Sequence, residues 1–244
     1  MIEILGKVEP AKTVKATLTI PEGFSIEQIA ARVSEQGLFT QDEFLNAVQE
    51  DTYDYDFLDS IPEGVNVEYR LQGFLFPATY DIYEDTTAHD LVDRMLQKFS
   101  EVYDSTMRSQ ADTMGYSAFE VVTRASIVER EAKLDEERPI IAGVINNRLE
   151  QGMMLQMCPT VLYPITNGIY DKSEVTYEDL EIDSPYNTYK YTGLPVGPIC
   201  NPGEVSIRAV LYPEAHNYLY YHVDNEETGS HIFTETYEEH LQTQ

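Results

Sequence analysis

The sequence predicts an α+β fold, and three observations carry that expectation. Residues 14–20 alternate as a strand, several capped amphipathic runs come next, and Pro/Gly-rich loops lead to short strand-forming segments near residues 218–233. Val14-Lys15-Ala16-Thr17-Leu18-Thr19-Ile20 reads as the strand, and Pro21-Glu22-Gly23 turns the chain. Ser25 caps a helix to about residue 37, with Ile26, Ile29, Ala30 and Val33 on one face and Gly37 at its end. Thr40 to Gln49 reads as a second, short helix. Residues 51–85 contain Pro62, Gly64, Gly73 and Pro77 and read as a linker that packs onto the next domain. Thr87 to about Met114 reads as one long helix, with Leu91, Met95, Phe99 and Val102 in register. Ser117 opens the next helix. Asp135 opens another, carrying Ile141, Val144, Ile145 and Leu149 and ended by Gly152. Pro and Gly then punctuate long loops to residue 203. A helix near 204–211, strands near 218–223 and 231–233, and a terminal helix from Thr234 are expected.

The opening strand-helix-helix order resembles, coarsely, the small sugar-binding LysM fold. The chain is therefore divided into an N-terminal LysM-like unit, residues 1–60, read as incomplete, and a larger mixed helix/strand domain, residues 61–244.

Composition excludes several classes of function. The 244 residues carry 43 acidic and 16 basic side chains, a net charge of −27. Nucleic acid and anionic membrane surfaces need clustered Lys and Arg, so neither is an expected partner. No run of about 18 apolar residues could span a bilayer, and no signal peptide opens the chain. The two Cys and five His lack metal-ligand spacing, so neither a metal nor a cofactor is expected. Glycine-rich phosphate loops and a nucleophile elbow are also missing.

The chemistry-bearing stretch is Ala125-Ser126-Ile127-Val128-Glu129-Arg130-Glu131-Ala132, with two carboxylates at the end of a helical, mostly apolar run. At about 100° per residue, Glu129 and Glu131 point about 200° apart. They cannot both flank one glycosidic bond, as the two acids of ordinary glycosidases do. One is expected to be catalytic and the other structural, paired with Arg124 or Arg148. Periodicity does not say which, and either could be a general acid if burial raises its pKa. Charged helix residues are more often only solvated or ion-paired. Downstream, Gln156, Thr160, Tyr186, Asn187 and Tyr189 offer neutral hydrogen-bonding groups in Pro-stiffened loops, as a polar substrate such as a carbohydrate requires. Each could equally be a turn former. His231 is a further candidate contact, or a network histidine.

These residues, together with Asn147-Arg148-Leu149, Pro159-Thr160-Val161, Tyr186-Asn187-Thr188-Tyr189, Gly193-Leu194-Pro195, Pro202-Gly203 and Gly229-Ser230-His231-Ile232-Phe233, resemble the YceG-like endolytic murein transglycosylases over about residues 14–241. The resemblance implies a single-pass cell-membrane protein whose catalytic region is extracytoplasmic, with an anchor absent from this chain. It implies a lyase that cuts the bond between N-acetylmuramic acid and N-acetylglucosamine in nascent peptidoglycan and leaves a 1,6-anhydro end. The family's catalytic acid matches Glu131, with Glu129 as second choice. No cofactor is implied. The expected partners are glycan strands and the cell-wall synthases of elongation and division. Two other readings stay open: a non-catalytic peptidoglycan-binding scaffold, and a hydrolase whose second carboxylate is Glu181 or Asp183.

The family often has Asp where this chain has Cys158. Cys158 and Cys200 both fall in motif loops, and their joint appearance in an extracytoplasmic protein suggests a disulfide. It would close a loop of roughly 40 residues, contributing about 3–4 kcal/mol in the chain-entropy description. Two separate small apolar thiols are the other reading.

Overall fold

The computed structural model describes residues 13–243. Residues 1–12 of the expected N-terminal unit lie outside the described residues. The described residues are α+β, with helices forming the body and two separate two-stranded antiparallel sheets. Strand β1 (Val14–Thr19) leads to helices α1 (Ile26–Glu35) and α2 (Gln41–Val48). Ser25 with Gln28, and Thr40 with Glu43, form reciprocal capping boxes that fix both helix starts locally.

The segment 51–85 is more than a linker. It contains a short turn of 3₁₀-helix at Asp56–Ser60 and strand β2 (Thr79–Tyr83). β2 pairs antiparallel with β1, setting Leu18 opposite Tyr80 and Ala16 opposite Ile82. Five residues between Pro77 and a turn gave too short an alternation to separate from loop.

The single helix expected from Thr87 to Met114 is two: α3 (Ala88–Val102) and α4 (Ser105–Met114). Asp104 breaks it, because its carboxylate accepts the N–H groups of Thr106 and Met107 and caps the second helix. Helix α5 (Ala118–Glu131) starts at a Ser117–Glu120 capping box and is buried from Phe119 to Val128 apart from Glu120. Burying each of its larger apolar side chains contributes about 1.5–3 kcal/mol. Asp135–Glu137 is a 3₁₀ turn, and α6 (Arg138–Glu150) follows with Pro139 in its first turn.

The stretch expected to be loop as far as residue 203 also holds a helix, α7 (Cys158–Ile165). Its prolines disguise it: Pro159 sits in the first turn, where no N–H is needed, and Pro164 in the last. Helix α8 (Glu204–Leu211) packs on α5 and α6. Strands β3 (Tyr220–Asn225) and β4 (Ser230–Thr234) form a hairpin, followed by α9 (Tyr237–Thr243), which starts three residues later than expected. Among the described residues no helix is long and apolar enough to cross a membrane.

Candidate active site

Helix α5 ends at Glu131, because Ala132 adopts an extended backbone. The last helical side chain thereby enters a cleft of about 230 Å³, walled by Arg148, Gln156, Cys158, Tyr189, Tyr221 and His231. Tyr221 Oη donates to Glu131 Oε2 at 2.8 Å, the only hydrogen bond to this carboxyl among the described residues. Burial raises the pKa of Glu131 above the ordinary 4.5, and the Tyr221 hydrogen bond and the nearby His231 and Arg148 offset part of that rise. No second carboxylate lines the cleft among the described residues. Glu181 and Asp183 are not part of its wall, and Asp183 instead accepts from Tyr191.

Glu129 has a different environment. Its side chain is only 6% exposed and faces Arg138 Nη1 at 3.1 Å. Its Oε2 accepts from Gly203 N–H and Ser206 Oγ at 2.9 and 2.8 Å. These contacts tie α5 to the start of α8. The ionic partner of Glu129 is thus Arg138, not Arg124 or Arg148 as expected. Arg124 stacks on the Tyr116 ring, 4.0 Å from its centroid. Arg148 donates to the carbonyls of Leu155 and Leu219, both at 2.6 Å. One guanidinium therefore joins the loop before Gln156 to the chain entering β3, and so holds opposite walls of the cleft in register.

The loop candidates separate into two groups. Gln156 and Tyr189 line the cleft beside Glu131. Gln156 has φ 53, a left-handed backbone unusual for a residue other than Gly. Thr160 does not face the cleft: it is fully buried, bonded to Met157 O and Thr188 Oγ1. Asn187 does not reach it either. Its Nδ2 donates to Leu180 O and Ile182 O, and its Oδ1 accepts from Tyr189 N–H. With its amide fully used, Asn187 shapes the loop that presents Tyr189. Tyr186 is buried against Tyr163 and lines a separate groove. His231 does line the cleft, with Nδ1 2.6 Å from Glu137 Oε2 and its backbone N–H donated to Glu137 Oε1 at 2.9 Å.

Cys158 and Cys200 are both free, which overturns the disulfide. They lie in different surroundings: Cys158 is exposed at the start of α7, with Sγ 3.2 Å from Tyr189 Oη. Cys200 is buried beneath α5 against Ser126 O at 3.4 Å.

Tyr221, Glu137 and the bracing role of Arg148 escaped sequence reasoning. Alternation in the Tyr-rich strand allows either Tyr220 or Tyr221 to face inward. Asp135-Glu136-Glu137 reads as an acidic helix start, and nothing local marks Glu137 as the partner of His231, 94 residues on.

Comparison with known proteins follows the same lines. The profile of the YceG-like family matches residues 1–244. The chain is 37% identical over 231 residues to an endolytic murein transglycosylase of Bacillus subtilis, covering 91% of this chain and 62% of that protein. It is 38% identical over 254 residues to one of Streptococcus pneumoniae, covering 96% of this chain and 45% of that protein. It thus spans between roughly half and two thirds of these relatives' lengths. A crystal structure of a YceG-like protein from Listeria monocytogenes superposes with a TM-score of 0.82 at 37% identity, over 95% of this chain and 77% of that one.

Proposed function

This chain belongs to the YceG-like family, and from that premise we propose that it is an endolytic lytic transglycosylase acting on peptidoglycan, with Glu131 as its acid and base. The observation that carries this reading is the setting of Glu131: one buried carboxyl of raised pKa facing the cleft, while the Glu137 carboxylate behind its wall is taken up by His231. A hydrolase of this bond needs a second acid about 5–10 Å away to activate water or form a glycosyl ester. A transglycosylase does not, because its nucleophile is the substrate's own 6-hydroxyl, already held next to the anomeric carbon.

The steps balance on one carboxyl. Protonated Glu131 donates to the glycosidic oxygen as the bond from C1 of N-acetylmuramic acid breaks. The leaving N-acetylglucosamine departs with that proton on its 4-hydroxyl. The muramic 6-oxygen then bonds to C1, and its proton passes to the Glu131 carboxylate, restoring the acid. Tyr221 fixes the carboxyl rotamer. Gln156, Tyr189 and His231 are the groups that would hold the sugar's acetamido and hydroxyl functions. Arg148 and Glu137 act as positioning residues.

The β1-α1-α2-β2 order of residues 14–83 supports a LysM-like reading of the first unit, extended beyond residue 60 to include β2. Residues beyond it form the catalytic unit in this reading. An extracytoplasmic, membrane-anchored setting and contacts with wall synthases belong to the same proposal, supported by the family alone.

Mass spectrometry of peptidoglycan digested with the purified chain tests it. Anhydro-muramoyl ends are expected. Reducing ends would establish a hydrolase instead, and intact strands a binding scaffold.

A further inference from the structure

A second concavity, of about 410 Å³, lies at the opposite end of α7 from the cleft. Cys158, the first residue of α7, borders the cleft, whereas Tyr163 and Pro164 border this groove. At 1.5 Å per residue the helix separates the two by about 8 Å. The 184–189 loop makes the same link, since Tyr186 lines the groove and Tyr189 the cleft.

The groove wall holds an acceptor without a donor. Glu27 is partly buried; its Oε1 takes a long 3.3 Å hydrogen bond from Tyr163 Oη, and its Oε2 is buried with no hydrogen bond. Burial raises its pKa, and its own N–H and the Ser25 and Tyr163 hydroxyls offset that in part, though none of them bonds Oε2. Gly168 lets the carboxyl lie against bare backbone: a Cβ there would meet Glu27 at 2.4 Å. Gly168 and the preceding Asn167 are both left-handed, with φ 74 and 47, so the backbone is held in an uncommon shape at this wall. The lining carries Glu27 and Glu68 and, among the described residues, no Lys or Arg, which disfavours an anionic ligand. Tyr163 and Tyr186, both buried, meet edge to face on the same wall, 4.9 Å between centroids.

We propose that this groove binds the ammonium-bearing side chain of the peptide attached to the glycan, with Glu27 as its counter-charge. The inference rests on the peptidoglycan reading above. The chemistry fits: the stem peptide carries a diamino acid a few residues from the sugar. Three extended residues reach about 10 Å, enough to cover the length of α7 from a sugar held in the cleft.

The test is a calorimetric titration of the folded chain with a stem peptide whose diamino acid is free, and with the same peptide N-acetylated at its side chain. The free peptide is expected to bind at least about tenfold more tightly, the scale of one charge-assisted hydrogen bond. Glu27→Gln should remove that difference. Glu68→Gln, at an exposed position on the same wall, should narrow the difference as well, and a preference that it leaves unchanged overturns the groove site even if Glu27→Gln folds poorly. Equal binding of the two peptides, or binding of neither, overturns the groove site. Failure of the wild-type chain to produce anhydro ends while it still prefers the free peptide would overturn the cleavage reading alone.

Discussion

Tyr221 and Glu131 are 90 residues apart in the chain and 2.8 Å apart in the fold. The phenol donates, so the contact favours the ionised carboxyl, while burial favours the neutral one. Burial prevails, and the acid is kept protonated to higher pH than a surface glutamate without being isolated from a donor. A general acid that must also take a proton back needs this intermediate setting.

Glu131→Gln should lower the rate of anhydro-end formation by about 10²–10⁴-fold, the usual share of general acid–base catalysis. The amide is nearly isosteric, so far-UV and near-UV circular dichroism should match wild type. An active Glu131→Gln enzyme would move the acid elsewhere.

The same substitution should stabilise the protein near neutral pH. A carboxyl whose folded pKa lies above its ordinary 4.5 adds stability below that value and loses it as pH rises through the folded pKa. The neutral amide of the variant has no such loss. Thermal unfolding at several pH values should show the variant's advantage at pH 7 shrinking towards pH 4. An advantage that grows on acidification would contradict a raised pKa.

Tyr221→Phe removes a hydrogen bond to the charged form, so Glu131 should become a weaker acid still. The high-pH limb of the kcat profile, where the proton is lost, should move to higher pH. A limb displaced downward would mean that the phenol favours the protonated carboxyl.

Glu129→Ala should cost about 1–3 kcal/mol, because it removes the buried acceptor shared by Arg138, Gly203 N–H and Ser206 while Asp135 stays 2.9 Å from Arg138 Nε. Urea unfolding measures this. At temperatures where the variant remains folded it should still cleave, whereas complete inactivity in a folded Glu129→Ala protein would reverse the assignment of the two acids.

Thiol titration of the native protein should find one reactive cysteine, Cys158, and unfolding without reductant should reveal both. Cys158 is exposed as a residue. Its sulfur nevertheless has a raised pKa, from local burial and from the charge of Glu131, so it should react more slowly than free cysteine. Two unreactive sulfurs in the unfolded chain would restore the disulfide.

Local signals carried much of the architecture. Ser25, Thr40 and Ser117 announce their helices because each capping box is complete within four residues. Asp104 and Pro159 carry signals too, but ambiguous ones: the first ended a helix that periodicity would continue, the second began a helix inside apparent loop. In the site, helix geometry showed that Glu129 and Glu131 point apart, yet only the fold supplies Arg138 to one and Tyr221 to the other. Asn187 looked like a ligand for sugar because free amides bind sugar. Its hydrogen bonds to Leu180, Ile182 and Tyr189 are specified by a loop conformation that composition does not encode.

The partners of Glu131 impose an order on its maturation. Tyr221 and His231 sit on the β3–β4 hairpin, which leaves the ribosome long after α5, and Arg148 can brace the hairpin only once Leu219 has arrived. A nascent chain therefore carries its reactive carboxyl for about 90 residues of synthesis without the phenol that orients it. A chain shortened before β3 would keep the acid but lack both the phenol and the imidazole that flank it.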